Sequence, residues 1–400
     1  MLRRMARALA LAVALPLALG LLVGAHTYLA LRLAVEPLDG TAQALAVGAI
    51  ALLGALLVAQ PIAERTLPPA RTRWIAWPAS LWMGAAFWLL LLLPLFDALS
   101  WLTAGAARAA ALGPEPVAAP GWRAALALSL TGAGLVVGLR SALTPPRLVR
   151  RRFEIEGWPE ALEGFRILQI SDVHIGPILG RDFAEHLVAR AAELRPDLIA
   201  VTGDLVDGGA RQLADEVEPL GRLSAPWGVY FVTGNHDHYS GAAAWVERLR
   251  ALGLRVLRNE RVEIGPPGAR FDLLGVDDHH AHFAGDGRED LAAAAVGRDP
   301  ARPSVLLAHD PASFGAAHRA GIDLQLSGHT HGGQLWPFAF IVRLATPWVA
   351  GCYRVGRSQL YVSRGTGFWG PPLRLGSPAE ITEIELSAPA SSPVREIAPH

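Results

Sequence analysis

The sequence predicts an α/β (α+β) domain with a mixed β-sheet, preceded by an all-α bundle of transmembrane helices. Charge is distributed very unevenly, because residues 1–146 carry only 15 of the 72 charged side chains in this chain of 400 residues. A segment so poor in charge makes a poor soluble domain, whereas the remainder has an ordinary globular composition. In that remainder, short apolar runs rich in β-formers alternate with helix-like runs, which is typical of βαβ units.

Three stretches of the first part contain no Asp, Glu or Arg and are long enough to cross a membrane. They cover 24, 24 and 23 residues, at 8–31, 40–63 and 74–96, and a hydrocarbon core of about 30 Å needs about 20 residues. A fourth candidate, 124–139, has 16 residues between Arg123 and Arg140, whose guanidinium groups can extend to the interface. A buried helical core is the alternative, but the repetition of such runs favours four transmembrane spans.

The arginine distribution predicts how these spans are oriented. With both termini in the cytoplasm, the inner segments carry eleven arginines and the outer loops carry three, Arg32, Arg108 and Arg123. This asymmetry agrees with the positive-inside rule, so we expect the C-terminal domain to face the cytoplasm. The alternative is export through a twin-arginine signal at Arg3-Arg4, although the usual serine and phenylalanine flanks of that signal are absent.

Past a basic segment at 147–152, strand-like and helix-like runs alternate. RILQIS, a helix at about 181–193 and DLIAVT predict one βαβ unit. Further helices are predicted at about 212–223 and 242–252, and VEI and FDLLGV within 262–276 predict a hairpin, which makes the sheet mixed. Later strands are predicted at SVLLA, DLQLS, QLYVS and ITEIEL. We therefore expect a membrane domain at 1–146, a globular domain at 147–386 and a disordered tail at 387–400.

Five short polar motifs each follow a predicted strand of the globular domain. They are Asp172-Val-His174, Gly203-Asp204-Leu-Val-Asp207, Gly234-Asn235-His236-Asp237, His309-Asp310 and Gly328-His329-Thr-His331. A strand that ends in a carboxylate or an imidazole delivers that group to the carboxyl edge of a sheet, where open α/β folds build their sites. Because Asp, His and Asn together suit a pair of divalent ions, the series predicts a metal centre.

The five motifs resemble the signature of the calcineurin-like metallophosphoesterases, D-x-H…G-D-x-x-D…G-N-H-[DE]…H…G-H-x-H, with every position filled. The resemblance covers about 150–386 and extends to GVDD at 275–278 and HGGQ at 331–334. It is similar above all to a bacterial branch with transmembrane helices ahead of the phosphoesterase domain, which implies an integral protein of the bacterial inner membrane. The resemblance also implies two mixed β-sheets packed as a sandwich flanked by helices.

The same resemblance implies a dinuclear centre of two divalent metal ions, Mn, Fe or Zn, with a metal-bound hydroxide as the nucleophile. Asp204 would bridge the two ions. The remaining ligands would be Asp172, His174 and His331 for the first ion and Asn235, His309 and His329 for the second. His236 would stabilise developing charge and protonate the leaving oxygen, and Asp237 would hold the His236 ring. Asp207 and Asp310 would contact the ligand side chains without binding the ions themselves.

The substrate is less constrained by the sequence. The stretch 335–351 is too apolar for an ordinary loop, so Phe338, Phe340 and Trp348 either engage lipid or pack on the protein's own core. Arginines interleaved there are candidates for binding phosphate: Arg343, Arg354, Arg364 and Arg374. We expect a metal-dependent phosphoric ester hydrolase of the lipid bilayer that cleaves a phosphodiester or pyrophosphate of a lipid or lipid-linked molecule.

Two alternatives remain beside this hypothesis. The first is a phosphodiesterase or phosphatase that acts on a soluble substrate. The second is a non-enzymatic binding scaffold, which the complete ligand set disfavours. Nucleic acid is not expected as a partner, because the second part of the chain has a net charge of −5 and a nucleic-acid-binding domain needs a basic face. The single cysteine, Cys352, excludes an intrachain disulfide.

Overall fold

Four long apolar helices form the N-terminal part of the chain: α1 (Leu2–Ala30), α2 (Gly40–Thr66), α3 (Pro69–Ala109) and α4 (Pro120–Leu143). The structure, a computed structural model, describes residues 2–109, 120–285 and 287–389. Each of the four helices contains a segment long and apolar enough to cross a membrane. The four predicted spans are therefore confirmed as helices of that kind, and the first continues beyond α1 through a π-helical turn, Leu31–Val35.

The chain divides into two units. The first comprises Met1–Arg140 together with Gly370–Leu373, and the second comprises Ser141–Trp369 and Arg374–His400. The first unit contains a polar cluster around Asp97 of α3. The Asp97 carboxylate accepts hydrogen bonds from Arg32, from Arg123 at 3.0 Å and from the Tyr28 hydroxyl at 3.3 Å. Arg32 also pairs with Glu36 at 2.6 Å, so the Asp97 cluster joins α1, α3 and α4 through matched charges.

The second unit contains twelve strands among the described residues. In chain order they are β1 (Arg147–Glu154), β2 (Phe165–Ile170), β3 (Leu198–Thr202), β4 (Val229–Val232), β5 (Arg255–Val256), β6 (Glu260–Ile264), β7 (Phe271–Gly275), β8 (Ser304–Leu307), β9 (Leu324–Ser327), β10 (Gly351–Val355), β11 (Ser358–Val362) and β12 (Glu380–Ser387). Its helices are α5 (Arg181–Leu194), α6 (Ala210–Val217), α7 (Asn235–Tyr239), α8 (Ala242–Ala251), α9 (Ala281–Ala284), α10 (Leu291–Ala294), α11 (Phe314–Arg319) and α12 (Ala339–Ala345).

The strands form two six-stranded sheets, in the orders β1-β12-β2-β3-β4-β5 and β10-β11-β9-β8-β7-β6. In the first sheet β12 runs antiparallel to β2, and the other pairs are parallel. In the second sheet the end pairs β10-β11 and β6-β7 are antiparallel, and the inner pairs are parallel. Both sheets are mixed, as the sequence predicted.

Alternating side chains of the strands build the layers of a sandwich. Ile167 of β2 packs in a buried cluster with Leu273 of β7 and Leu326 of β9, so this cluster fills the space between the two sheets. Leu168 and Ile170 of β2 project to the other face and join a second cluster. That cluster includes the buried side chains of α5, α6 and α8, and a third covers the outer face of the second sheet with α10 and α11. The predicted sandwich flanked by helices is confirmed.

Three elements differ from the prediction, each for a physical reason. The helix predicted at 212–223 ends at Val217 and continues as a 3₁₀ turn, Glu218–Arg222, because Pro219 has no N–H to continue the α-helix. The basic segment at 147–152 is part of an edge strand, β1, whose exposed arginines suit an edge because they oppose pairing with another chain. The predicted tail begins inside β12, and its residues 390–400 lie outside the described residues.

Candidate metal centre

The seven predicted ligands lie where strands of both sheets end. Asp172 and His174 follow β2, Asp204 follows β3, and Asn235 begins α7 after β4. His309 follows β8 in the second sheet, and His329 and His331 follow β9. Six of the seven are less than about a tenth exposed, and the His329 side chain is 30% exposed. The sandwich therefore brings together residues that are up to 159 positions apart in the sequence.

Asp172, His174 and His331 form a first group of converging polar atoms. The Nε2 atoms of His174 and His331 are 3.0 Å apart, and Nε2 of His331 is 3.4 Å from Oδ1 of Asp172. One ligand atom from each residue lies within 4.8 Å of the others. This separation can accommodate a single ion that contacts all three side chains.

Asp204, His309 and His329 form a second such group, with Asn235 beside it. Nε2 of His309 is 3.2 Å from Oδ2 of Asp204, and Nδ1 of His329 is 3.0 Å from Oδ1 of Asn235. The same Oδ2 of Asp204 is 3.8 Å from Nε2 of His174 in the first group. The Asp204 carboxylate therefore stands between the two groups.

Hydrogen bonds to the second nitrogen of two rings fix which atom faces the centre. Nδ1 of His309 donates to the carbonyl oxygen of Thr202 at 2.8 Å, and Nδ1 of His174 donates to Oδ1 of Asp207 at 3.0 Å. Each ring is then held in the tautomer whose Nε2 carries a lone pair, the form that binds a metal ion. Nδ1 of His331 lies 3.2 Å from Nη2 of the buried Arg374.

The backbone at the ligands is strained. Eight residues other than glycine have positive φ among the described residues, and five of them are predicted ligands: Asp172 (53°), His174 (53°), Asp204 (50°), His329 (73°) and His331 (50°). Such conformations cost about 1–3 kcal/mol each and persist where the surrounding structure enforces them. Gly234 and Gly328 lie so close to the carboxylates of Asp204 and Asp172 that a Cβ at either position would overlap them. These backbone conformations lower the stability of the fold, and they hold the predicted ligand side chains close to one another.

The charges in the two groups suit a cation. Burial would lower the pKa of His309, but the carboxylate of Asp204 raises it well above its usual value, because a positive charge is stabilised at this position. A bound cation would take the place of the proton on Nε2. Burial, His174 and Arg374 hold the pKa of His331 well below the usual range, which leaves a neutral ring with an available lone pair. Oδ2 of the fully buried Asp172 has no hydrogen-bond partner among the described residues. Carboxylate oxygens, an amide oxygen and imidazole nitrogens that converge in this way fit two divalent ions.

His236 lies beside the first group with its ring partly exposed. Its Nδ1 donates to Oδ1 of Asp207 at 2.7 Å, the same oxygen that holds His174. Burial alone would lower the pKa of His236, but the hydrogen bond to Asp207 and the charge of Asp204 raise it to about 9. The rings of Tyr239 and Trp369 lie 5.5 Å and 5.9 Å from the His236 ring.

The carboxylate that holds His236 is not the one predicted from the sequence. Asp237 instead accepts four backbone N–H groups, those of Gly234, Asp204, Leu205 and Val206, at 2.8–3.3 Å. Burial and the nearby Asp204 charge raise the pKa of Asp237 to about 7. Asp237 therefore braces the turns that carry Asp204 and Asn235, and the position at the His236 ring belongs to Asp207. The spacing of G-D-x-x-D, in which Asp207 follows Asp204 by three residues, was the available signal.

The arginines proposed as phosphate contacts separate into different roles. Arg374 is buried, and its guanidinium donates to the carbonyl oxygens of Arg364, Gly365, Gly367 and Ser377, so it is not a phosphate contact. Arg354 bonds Gln359, and Arg343 lies over the ring of Phe340. Arg364 is 37% exposed, lies next to Gly332 and has its Glu380 partner 3.8 Å away. Of the four, Arg364 is the one placed beside the ligand loop with an accessible guanidinium.

The apolar stretch also separates into two parts. Trp348 packs edge-on against Phe314 and Tyr353 on the outer face of the second sheet, at 5.4 Å and 5.0 Å between ring centroids, so it belongs to the core. Phe338 is half-buried, whereas Phe340 is 58% exposed. Packing on the core therefore holds for Trp348, whereas lipid contact by Phe340 stays a prediction.

Comparison with known proteins agrees with this arrangement. The family model described as calcineurin-like phosphoesterase matches residues 165–333. A "Transmembrane protein with metallophosphoesterase domain" of Danio rerio is 38% identical over 283 residues, which are 68% of this chain and 64% of that protein. A protein of the same description in Bos taurus is 40% identical over 66% of this chain and 63% of that protein. The chain thus matches a little under two thirds of the length of these two relatives.

A shorter relative is matched over most of its length. It is an "Uncharacterized metallophosphoesterase" of Aquifex aeolicus, 35% identical over 248 residues, which are 60% of this chain and 91% of that protein. The range that the family model matches contains all five polar motifs. The chain therefore belongs to the calcineurin-like metallophosphoesterases.

Proposed function

We propose that the two groups of converging side chains hold two divalent ions, with Asp204 as the shared ligand. The observation that carries this proposal is the position of Asp204 Oδ2, 3.2 Å from Nε2 of His309 and 3.8 Å from Nε2 of His174. Mn, Fe and Zn all accept this donor set. When bound, such a pair neutralises phosphate charge and lowers the pKa of water toward neutrality.

The chain's own residues around this centre orient the substrate and supply a proton. Asp207 holds Nδ1 of His236, so Nε2 is the ring atom that remains for a substrate oxygen. The hydrogen bond to Asp207 and the charge of Asp204 raise the pKa of His236, which favours the protonated ring and suits it to donate a proton to the leaving oxygen. Asp237 acts indirectly, since it fixes the turns on which Asp204 and His236 stand.

The proposed reaction is hydrolysis of a phosphodiester or pyrophosphate bond in a lipid or lipid-linked substrate. Four helices able to span a membrane support a substrate that resides there. The rings of Tyr239 and Trp369, which flank His236, support a leaving group with an apolar or aromatic portion. A soluble phosphate ester is the second candidate, favoured by the partly exposed position of His236.

Metal-reconstituted turnover distinguishes these substrates. The full chain is supplied with Mn²⁺, Fe²⁺ or Zn²⁺ and assayed on bis-p-nitrophenyl phosphate, p-nitrophenyl phosphate and a nucleotide-diphospho-lipid. We expect the highest kcat/KM on the lipid and a higher value on the diester than on the monoester. Preference for p-nitrophenyl phosphate would contradict the diester assignment, and an inactive lipid beside an active diester would favour the soluble substrate.

We further propose a membrane domain at 1–146 and a catalytic domain at 147–386 that faces the cytoplasm at the bacterial inner membrane. Eleven arginines on the predicted inner side against three on the outer side support this orientation. A paired alkaline phosphatase and green fluorescent protein fusion after Ser387 reports the side directly. Fluorescence without phosphatase activity is expected, and the reverse pattern would place the catalytic domain outside.

A further inference from the structure

Helix α12 differs from the other helices of the second unit in what it buries. It has the sequence AFIVRLA and contains no buried residue, although six of its seven residues are apolar. Phe340, Ile341 and Leu344 are 58%, 50% and 88% exposed. By contrast, α11, which is also short, buries Phe314 and Ala317 against the second sheet. An apolar helix that leaves its large side chains in the open needs a surface to cover them.

The residues just before α12 are hydrogen-bonded to a residue that lies beside the candidate metal centre. Gln334 exchanges two hydrogen bonds with the backbone of Trp369, at 2.8 Å and 3.0 Å, and lies three residues after the predicted ligand His331. The Trp369 ring is in turn 5.9 Å from the His236 ring and 47% exposed. The apolar surface of α12 and the cleft therefore belong to one connected part of the second unit.

The surface best suited to cover α12 is the lipid bilayer that the four apolar helices can span. The last span ends at Leu143 and β1 begins at Arg147, so three residues separate this span from β1. At no more than about 3.5 Å per residue, these residues keep the start of β1 close to the membrane surface. Arg343, whose guanidinium lies over the Phe340 ring, gives α12 the combination of apolar side chains and a cation that is typical of interfacial helices.

We propose that α12 inserts its apolar face into the bilayer interface and acts as a fifth membrane-contacting element of this protein. Phe340, Ile341 and Leu344 enter the boundary between headgroups and acyl chains, and Arg343 reaches the phosphates. The cleft at His236 then opens next to the lipid surface. The membrane contact does not depend on the proposed function. Only the delivery of a lipid substrate to the metal centre rests on that function.

Depth measurement by spin labelling tests the contact without any turnover. Cys352 is replaced by serine, and the full chain carries one nitroxide at Leu344→Cys or Ile341→Cys. The protein is reconstituted in nanodiscs of phosphatidylcholine with phosphatidylglycerol. Val296→Cys is the matched control, because Val296 is also a large apolar side chain of the second unit, 74% exposed. Power saturation then compares collision with oxygen, which concentrates in lipid, and with a nickel chelate, which stays in water.

Labels at 341 and 344 are expected to collide mainly with oxygen, and the label at 296 mainly with the nickel chelate. Equal accessibility to nickel at 296 and 344 would overturn the proposal, since α12 would then be in water. Low accessibility to both reagents at 344 would overturn it as well, because α12 would then face protein, either a second copy or another chain.

The triple variant Phe340→Ser, Ile341→Ser and Leu344→Ser links the contact to the substrate. Losing even one buried side chain of this size weakens an apolar contact by about tenfold or more, so KM for a vesicle-borne phospholipid should rise at least that much. The kcat/KM for bis-p-nitrophenyl phosphate should stay unchanged. If depth confirms lipid contact while both substrates keep their KM, the membrane contact stands and the lipid-substrate assignment fails.

Discussion

Two polar clusters among the described residues, one in each unit, use opposite means to bury charge. Around Asp97, two arginines face two carboxylates, and the Asp97 carboxylate accepts from two guanidinium groups and a tyrosine hydroxyl. Around Asp204, imidazoles face one another and share carboxylates, and Oδ2 of Asp172 lacks a hydrogen-bond partner among the described residues. The charges of the first cluster are matched within the protein, whereas the second cluster fits the divalent ions that we propose.

The backbone shows the same difference. The residues of the Asp97 cluster lie on helices or a helical turn, with ordinary backbone geometry. Five of the seven predicted ligands have positive φ, a conformation that costs free energy. Matched charges on regular elements indicate a structural role, and like groups forced together on strained turns indicate a functional one. Five substitutions test this distinction.

Asp204→Asn is expected to have the largest effect. The shared carboxylate contributes negative charge to both groups, so its loss should lower metal content and reduce turnover by several orders of magnitude. Metal is measured by atomic emission on the purified protein, and turnover on bis-p-nitrophenyl phosphate. Near wild-type turnover with two ions still bound would show that Asp204 is not shared.

His236→Asn separates proton donation from metal binding. Removing the proton donor should lower kcat by about 10²–10⁴-fold while both metals stay bound. The loss should be largest for substrates with poor leaving groups, which depend on a proton, and smallest for p-nitrophenyl esters. A fall in metal content would instead identify His236 as a ligand.

Asp207→Asn and Asp237→Asn distinguish the two carboxylates near His236. Asp207 holds the rings of His174 and His236, so its loss should lower kcat by about 10–100-fold with little change in melting temperature. Asp237 accepts four backbone N–H groups, so its loss should lower the melting temperature more than Asp207→Asn does. The reverse ranking would restore Asp237 as the residue that orients His236.

Asp97→Asn should have the smallest effect on catalysis. It leaves Arg32 and Arg123 without their shared counter-charge, which should destabilise the helical unit by roughly 1–3 kcal/mol given the partial burial of all three side chains. Thermal unfolding in detergent should record this loss, while turnover per folded molecule and metal content stay at wild-type values. A collapse of turnover in folded protein would give the Asp97 cluster a functional role.

The strands and the ligand set follow from local sequence signals, because a buried strand followed by a polar turn has a strong pattern. The runs before Asp172, Asp204 and Asn235 became β2, β3 and β4, and the turns after them converge as predicted. Local sequence patterns do not predict a strand whose formation depends on pairing with a distant part of the chain. The sequence did not predict strand β1, because its arginines interrupt the apolar pattern of a strand. It pairs with β12, which follows more than 200 residues later.

The sequence also did not predict which groups the side chains of the site would contact. Asp237 is next to His236 in the chain and Asp207 is 29 residues away, and only the fold shows that Asp207 reaches the ring and Asp237 the backbone. Arg374 looked like a phosphate contact, yet its guanidinium lies buried among carbonyl groups behind His331. Trp348 and Phe340, eight residues apart in one apolar stretch, have opposite surroundings.

The place of β12 between β1 and β2 sets an order of events at the ribosome. At about 5–20 residues per second, synthesis delivers β12 some 10–50 s after β1. During that interval the four spans can enter the membrane while β2 presents an unpaired edge, the kind of surface that aggregates. The first sheet is therefore complete only after residue 387 has been synthesised, and a nascent chain stalled before residue 380 would hold its helices in the bilayer while that sheet lacks β12.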